Sequence, residues 1–337
     1  MTESIVVENL TKAYRTFARR QGLLGAALDL VNRQYSRTVA VNSVSFEVGR
    51  GEIVGYIGAN GAGKSTTIKM LTGILRPTSG SAVINGLVPW EQRKRHARNI
   101  GVIFGQRTQL YWDIAVIETL NLLRKIYRVS KSDYDRRLEE LTSLLDLAPL
   151  LTKPTRKLSL GERMRCDFAA SMIHDPPILF LDEPTIGLDV SAKFRVRDAI
   201  RHFASARGKT VLLTTHDLAD IEDLCERIII IDKGGIIFDG LIRDIKGKMG
   251  KTRRAVIDFH GQVSTYTVSH LFEGKPLELE QITPEQVGLS FEVEAIAPSD
   301  LVRTLLSRFS VKDIVLKGPD LSDIVRRIYD GKERIDA

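Results

Sequence analysis

Ile53-Val-Gly-Tyr-Ile57 runs into Gly58-Ala59-Asn60-Gly61-Ala62-Gly63-Lys64-Ser65-Thr66, and Ile68-Lys-Met-Leu-Thr-Gly-Ile-Leu75 follows at helical spacing. The first five residues are a continuous apolar run suited to a buried strand. The middle block fits G-x-x-x-x-G-K-[ST], in which glycines let the backbone turn its N–H groups inward around a phosphate. A helix beginning near Lys64 adds its positive N-terminal end to the same anion. In that arrangement Lys64 reaches the β- and γ-phosphates and Ser65 ligates Mg²⁺. An accidental glycine loop is the bland alternative. The strand before it and the helix after it favour the phosphate cradle.

A second element lies further along the chain. Pro177-Ile-Leu-Phe-Leu-Asp182 is a short hydrophobic strand, and Glu183 follows it. Two adjacent carboxylates at a buried strand's end suit a division of labour. Asp182 is placed to hold Mg²⁺ through its water shell, and Glu183 to polarise an attacking water. By itself such an ending is common; with the cradle it acquires meaning.

Around these elements strands and helices alternate. Residues 5–7, 39–48, 177–182, 210–215 and 227–232 read as strands, and 196–204 and the segment Asp220-Ile-Glu-Asp-Leu-Cys-Glu226 as helices; 116–172 is mostly helical. This argues for an α/β layer with a mainly parallel sheet. Residues 241–252, basic and glycine-punctuated, read as a linker. Beyond it, segments such as 255–260, 264–269 and 289–296 alternate like strands, and helix-like stretches follow at 301–309 and 320–329. We expect a small α+β domain there.

The chain has 337 residues, with 43% hydrophobic and 27% charged, which excludes a disordered chain or a collagen-like repeat. No apolar run reaches the ~20 residues of a membrane span. The start, with no basic stretch leading into an apolar one, gives no expectation of a secretory signal. Cys166 and Cys225 are far apart with no metal-ligand spacing, which suits a reduced cytosolic setting. Lys and Arg number 49 against 42 Asp and Glu, a net charge of +7 spread along the chain, so no nucleic-acid patch stands out.

Further motifs give the set its specificity: Leu158-Ser159-Leu160-Gly161-Glu162, Gly187-Leu188-Asp189, Thr214-Thr215-His216-Asp217, and Gln106 between the cradle and the helical stretch. In this order they resemble the ATP-binding cassette (ABC) ATPases, over about residues 3–240. The resemblance implies a P-loop NTPase cassette: a RecA-like core sheet, an antiparallel β subdomain and a helical subdomain at about 111–175. The small α+β domain at 253–337 is an accessory module, read as regulatory or dimer-stabilising.

The family's roles carry over residue by residue. Gly58 to Thr66 is the Walker A loop for ATP, and Asp182 the Walker B aspartate that holds Mg²⁺ with Ser65 and Gln106. Gln109 is the runner-up for Gln106. Glu183 is implied as the catalytic base, and His216 as the residue on the γ-phosphate. Ser159, Leu160, Gly161 and Glu162 form a signature motif usually written LSGGQ, departing at Leu160 and Glu162. Together with Asp189 it acts across a dimer of cassettes, with a homodimer favoured and a heterodimer possible. Tyr14 is implied as the ring that stacks on adenine, with Tyr35 its competitor.

The implied function is an ATP-hydrolysing subunit on the cytoplasmic face of the inner membrane. It would power a type-2-permease exporter whose transmembrane subunits are separate chains. A soluble cassette acting on ribosomes or nucleic acid, and a non-hydrolysing switch, are the rivals. The insertion at about 15–37 is the least general part. Leu24, Ala27, Leu28, Val31 and Tyr35 fall on one helical stripe, with Arg19, Arg20, Arg33 and Arg37 around it. An amphipathic helix with basic flanks suits an anionic membrane surface or a groove on the permease, and we expect it to dock on that partner, with packing on the cassette's own antiparallel sheet as the alternative.

Overall fold

A computed structural model describes residues 3–17, 35–105, 107–249, 252–318 and 321–329, which fall into two units, 1–239 and 240–337. In the first unit, the apolar runs become strands because both their faces are covered. β1 (Glu3–Phe17) and β2 (Tyr35–Gly49) pair antiparallel, and β4 (Ser79–Ile84) joins the other side of β1. The larger sheet has six strands. Its members are β3 (Ile53–Gly58), β5 (Ile100–Phe104), β6 (Ile178–Asp182), β7 (Thr210–Thr214), β8 (Arg227–Asp232) and β9 (Gly235–Leu241). Their order is β5-β6-β7-β3-β8-β9, with parallel pairing from β5 through β8.

That order decides where chemistry can happen. The register sets Asp182 beside Thr214 across β6 and β7, and β3 runs on the other side of β7. Three strands therefore deliver their carboxyl ends side by side, where α/β sheets place ligands. All five residues of β6 and of β7 are buried. Each fully buried Ile, Leu or Val contributes about 1.5–3 kcal/mol.

α1 (Lys64–Leu71) follows β3 and buries Ile68, Met70 and Leu71 against a core that includes Tyr56, Phe180 and Leu212. Tyr56 is fully buried, and its hydroxyl finds Thr67 Oγ1 at 3.3 Å. After the short α2 (Arg93–His96) come α3 (Val116–Tyr127), α4 (Lys131–Leu145) and α5 (Leu160–Met172). α6 (Val190–Arg207) and α7 (Leu218–Leu224) flank β7 in sequence.

In the second unit α8 (Ile242–Met249) precedes β10 (Thr252–Phe259), α9 (Thr265–Ser269), β11 (Leu277–Thr283), β12 (Gln286–Glu292), α10 (Pro298–Arg308), β13 (Val311–Lys317) and α11 (Leu321–Tyr329). The four strands form an antiparallel sheet in the order β11-β12-β10-β13, the split βαβ arrangement of a ferredoxin-like fold. Ala255, Ile257, Phe259, Val287, Leu289 and Phe291 alternate onto its inner face and meet Leu301 and Leu305 of α10.

Several expectations change. Residues 242–249, read as linker, are helical, with Ile242 and Ile245 buried. Residues 265–269, read as strand, are helical because Ser264 caps the turn by accepting from Thr267 N. Residues 15–17 and 35–37, read as the edges of the insertion, are strand, so Tyr35 begins β2 opposite Phe17. The stripe from Leu24 to Val31 lies outside the described residues. β4, β5, β9 and β11 were not anticipated. They are edge members of their sheets, and β4 and β9 are only half covered.

Candidate functional site

The cradle opens between β3 and α1. Ala59, Asn60 and Gly61 are exposed at its mouth. Gly63 holds φ 110° as the N-cap of α1, in the left-handed region. A Cβ there would sit 2.4 Å from the Ala40 carbonyl of β2, so no other residue fits. A glycine cap brings no side chain, and α1 has no side-chain cap. Its first-turn N–H groups, which have no partner within a helix, are thus available to a phosphate. The turn between β8 and β9 braces the loop, Gly234 N donating to Ala62 O at 3.1 Å.

Lys64 is buried, and its ammonium donates to Gly58 O at 2.6 Å and Ala59 O at 3.2 Å. Burial pushes it below its ordinary value, while Asp182 and Glu183 pull the other way. Thr66 stands half-buried beside it in the first turn.

Ser65 Oγ donates to Asp182 Oδ1 at 3.3 Å, across 117 residues of chain. Thr214 Oγ1 donates to the same oxygen at 2.6 Å. Thr214 also accepts the Glu183 N–H on its carbonyl at 3.0 Å, so one residue of β7 orients both acidic neighbours. The sequence named Thr214 only as part of a motif; its partners lie on another strand. Glu183 adopts φ 58°, an uncommon conformation for a non-glycine residue. Its Oε2 lies 2.7 Å from His216 Nδ1 and 3.4 Å from His216 N. Carboxylate, hydroxyl and imidazole thus converge at the mouth of the cradle. Ser65 and Asp182 form an all-oxygen pair suited to a hard divalent cation that keeps several waters.

Tyr14 lies on β1 opposite Thr38, two residues from the Ala40 that touches the cradle, with the Lys12 ammonium 5.5 Å from its ring centre. Tyr35 is further along the same strand pair. Gln106 lies outside the described residues. Gln109 is committed elsewhere: its Nε2 donates to Asp167 O and its N to Asp167 Oδ1, both at 2.9 Å. Thr108 Oγ1 joins that carboxylate at 2.9 Å. Burial pushes Asp167 up to about 6 although these donors favour its charge. Nothing in the sequence marked this clasp.

Ser159 caps α5 in a reciprocal capping box with Glu162, which explains locally why a glutamate occupies that place. Leu160 is partly exposed over Gly187, and Gly161 lies so near α6 that a Cβ would meet Ala192 Cβ at 2.8 Å. Asp189 caps α6, accepting from Ala192 N at 2.8 Å. The signature residues and Asp189 therefore form one group, with Gly161 and Asp189 in near contact. Their side-chain hydrogen bonds run within this group and to Lys153 and Ala192, and none joins Lys64, Glu183 or His216.

The sequence model of the ABC transporter family matches residues 41–186. Nod factor export ATP-binding protein I of Cupriavidus pinatubonensis is 37% identical over 225 residues, covering 66% of this chain and 68% of that protein. The chain belongs to the ABC transporter family. It is an ATP-binding cassette ATPase of that family. The daunorubicin resistance ATP-binding protein DrrA3 of Streptomyces coeruleorubidus aligns at 29% identity over 91% of this chain and 96% of its own length. Among solved structures, an ATP-binding cassette captured as a dimer in a post-hydrolysis state with ADP and Pi superposes with TM-score 0.58. That match has 26% identity and covers 71% of this chain and 99% of that one.

Proposed function

We propose that this chain is the ATP-hydrolysing subunit of an exporter whose membrane-spanning permease is supplied by other chains. The observation that carries the reading is the convergence of Lys64, the Ser65–Asp182 pair and the Glu183–His216 pair at one mouth. Lys64 and the loop N–H groups bind the β- and γ-phosphates. Ser65 and Asp182 hold Mg²⁺, which supplies charge neutralisation on the phosphates when bound. Glu183 takes a proton from the attacking water, and His216, bonded to Glu183 through Nδ1, orients that carboxylate and meets the γ-phosphate. Tyr14 stacks on adenine, and Gln106 completes the metal sphere.

Ser159, Gly161 and Asp189 form one capped group that shares no hydrogen bond with Lys64, which supports their use on the nucleotide of a second cassette. The solved dimer with ADP and Pi supports the same assembly. Two like cassettes satisfy this, and a heterodimer would also.

No helix among the described residues is long and apolar enough to cross a membrane. Tyr111 and Trp112, 53% and 51% exposed on the segment after β5, offer an apolar surface for a permease helix. The subunit is then peripheral on the cytoplasmic face. Export is the direction named in the relative from Cupriavidus pinatubonensis. The unit at 240–337, with its own core, serves as an accessory module that stabilises or regulates the dimer.

The test is Glu183→Gln. It keeps the side chain's size, so ATP binding persists, while turnover falls at least ~10²-fold, the usual worth of a positioned base. A variant that hydrolyses ATP at the wild-type rate removes the base from this mechanism.

A further inference from the structure

α6 is capped by Asp189, and its first turn, which itself holds no acidic residue, carries a lysine, Lys193. A cation near a helix N-terminus opposes the helix dipole, so helix formation does not account for it. Its ammonium bonds instead to two carboxylates of the next segment: Asp217 Oδ2, and Asp220 Oδ1 at 3.2 Å. Burial works against the charged ammonium, but the two carboxylates overcome this and hold Lys193 above its ordinary value.

Each partner leads to the site. Asp217 follows His216 directly and divides its oxygens. Oδ1 accepts from Ala219 N at 3.0 Å to cap α7, while Oδ2 takes Lys193. Asp220 is fully buried and accepts from Thr185 Oγ1 at 2.5 Å, two residues beyond Glu183, and from Arg197 Nε at 2.6 Å. Lys193 therefore stands where the segments bearing Asp189, Glu183 and His216 meet. His216 itself is 60% exposed, so packing does little to fix its ring. Its place is set by the bond to Glu183 and by the backbone on either side.

We propose that Lys193 is a positioning residue for hydrolysis, tying the His216 segment to α6 through Asp217 so that the imidazole stays on Glu183. This rests on the assignment of Glu183 and His216 to hydrolysis. The lysine touches neither nucleotide nor metal in this role; it acts through the histidine.

The experiment uses the full chain with Lys193→Met, which keeps the length and removes the charge. The expected result is a kcat about tenfold lower, within the range that a slightly misplaced group costs, with KM for ATP unchanged. Lys193→Arg should recover most of the rate. In a His216→Ala background, single-turnover hydrolysis should fall no further on adding Lys193→Met, because the two act as one unit. A wild-type kcat in Lys193→Met overturns the proposal. So does an equal further loss in the His216→Ala background, which would make the lysine merely structural. If Lys193→Met does not fold, Asp217→Asn carries the same expectations, since its Oδ1 still caps α7 while the charged partner is lost. Wild-type turnover in His216→Ala alone would remove the histidine's role and this proposal with it, and that outcome is distinct because Lys193 is then intact.

Discussion

Thr214→Val isolates the bond that orders the candidate metal carboxylate. Thr214 is fully buried, and Asp182 is 8% exposed. The 2.6 Å bond from Thr214 Oγ1 is a hydrogen bond to a charged group, worth about 1.5–3 kcal/mol. Valine has the same shape and returns up to about 0.8 kcal/mol through its extra methyl. The net loss is about 1–2 kcal/mol, or roughly 2–8 °C in Tm for a unit of this size. The main-chain bond from Glu183 N to Thr214 O survives, so Glu183 keeps its place. Asp182 does not: its remaining side-chain partner is Ser65 at 3.3 Å. Thermal unfolding should show the loss of stability, and a Mg²⁺ titration of ATPase activity should show a higher requirement, with kcat at saturating Mg²⁺ less affected. Thr214→Ser keeps the hydroxyl and should keep the wild-type Mg²⁺ requirement, losing at most the about 0.8 kcal/mol that goes with its buried methyl. If Thr214→Val melts and titrates as the wild type does, or Thr214→Ser is equally impaired, the hydroxyl does not order Asp182.

Asp167 titrates ordinarily at 3.8 but is pushed up to about 6 by burial, so between those values the folded chain keeps a proton that the unfolded chain has released. Rising pH through that window therefore costs stability, up to about 3 kcal/mol. Relative to Asp167→Asn, whose Oδ1 still accepts from Thr108 and Gln109, the wild type should lose stability from about pH 4 to about pH 6. Denaturant midpoints differing by the same amount at every pH would contradict this. Gly63→Ala forces a side chain into the left-handed region and onto the Ala40 carbonyl, at about 1–3 kcal/mol of strain before the clash. ATP affinity should fall at least about tenfold, and an alanine variant that binds ATP normally would show the loop to be less constrained than its geometry.

The sequence alone determined what depends on neighbours in the chain. Gly58 to Ser65 reads as a phosphate loop because glycine backbone freedom, a preceding apolar run and a following helical pattern are local properties. Asp182-Glu183 at the end of a buried strand, and Ser159 at the head of α5, are legible for the same reason. Capping and strand burial are written within a few residues. Local reading failed where a single residue or a distant partner decides. Residues 264–269 alternate as a strand does, yet Ser264 caps them into a turn of helix. The edge strands β4 and β9 lack the covering that gives an apolar signature. What brings the site together is the strand order, which sets β7 between β3 and β6 and so lets Ser65, Asp182 and Thr214 share one oxygen. The Lys193 tether and the turning of Gln109 toward Asp167 are likewise contacts between segments far apart in the chain. A hydrogen bond of that kind has no period and no propensity. It exists only after the sheet has folded and its carboxyl ends stand side by side.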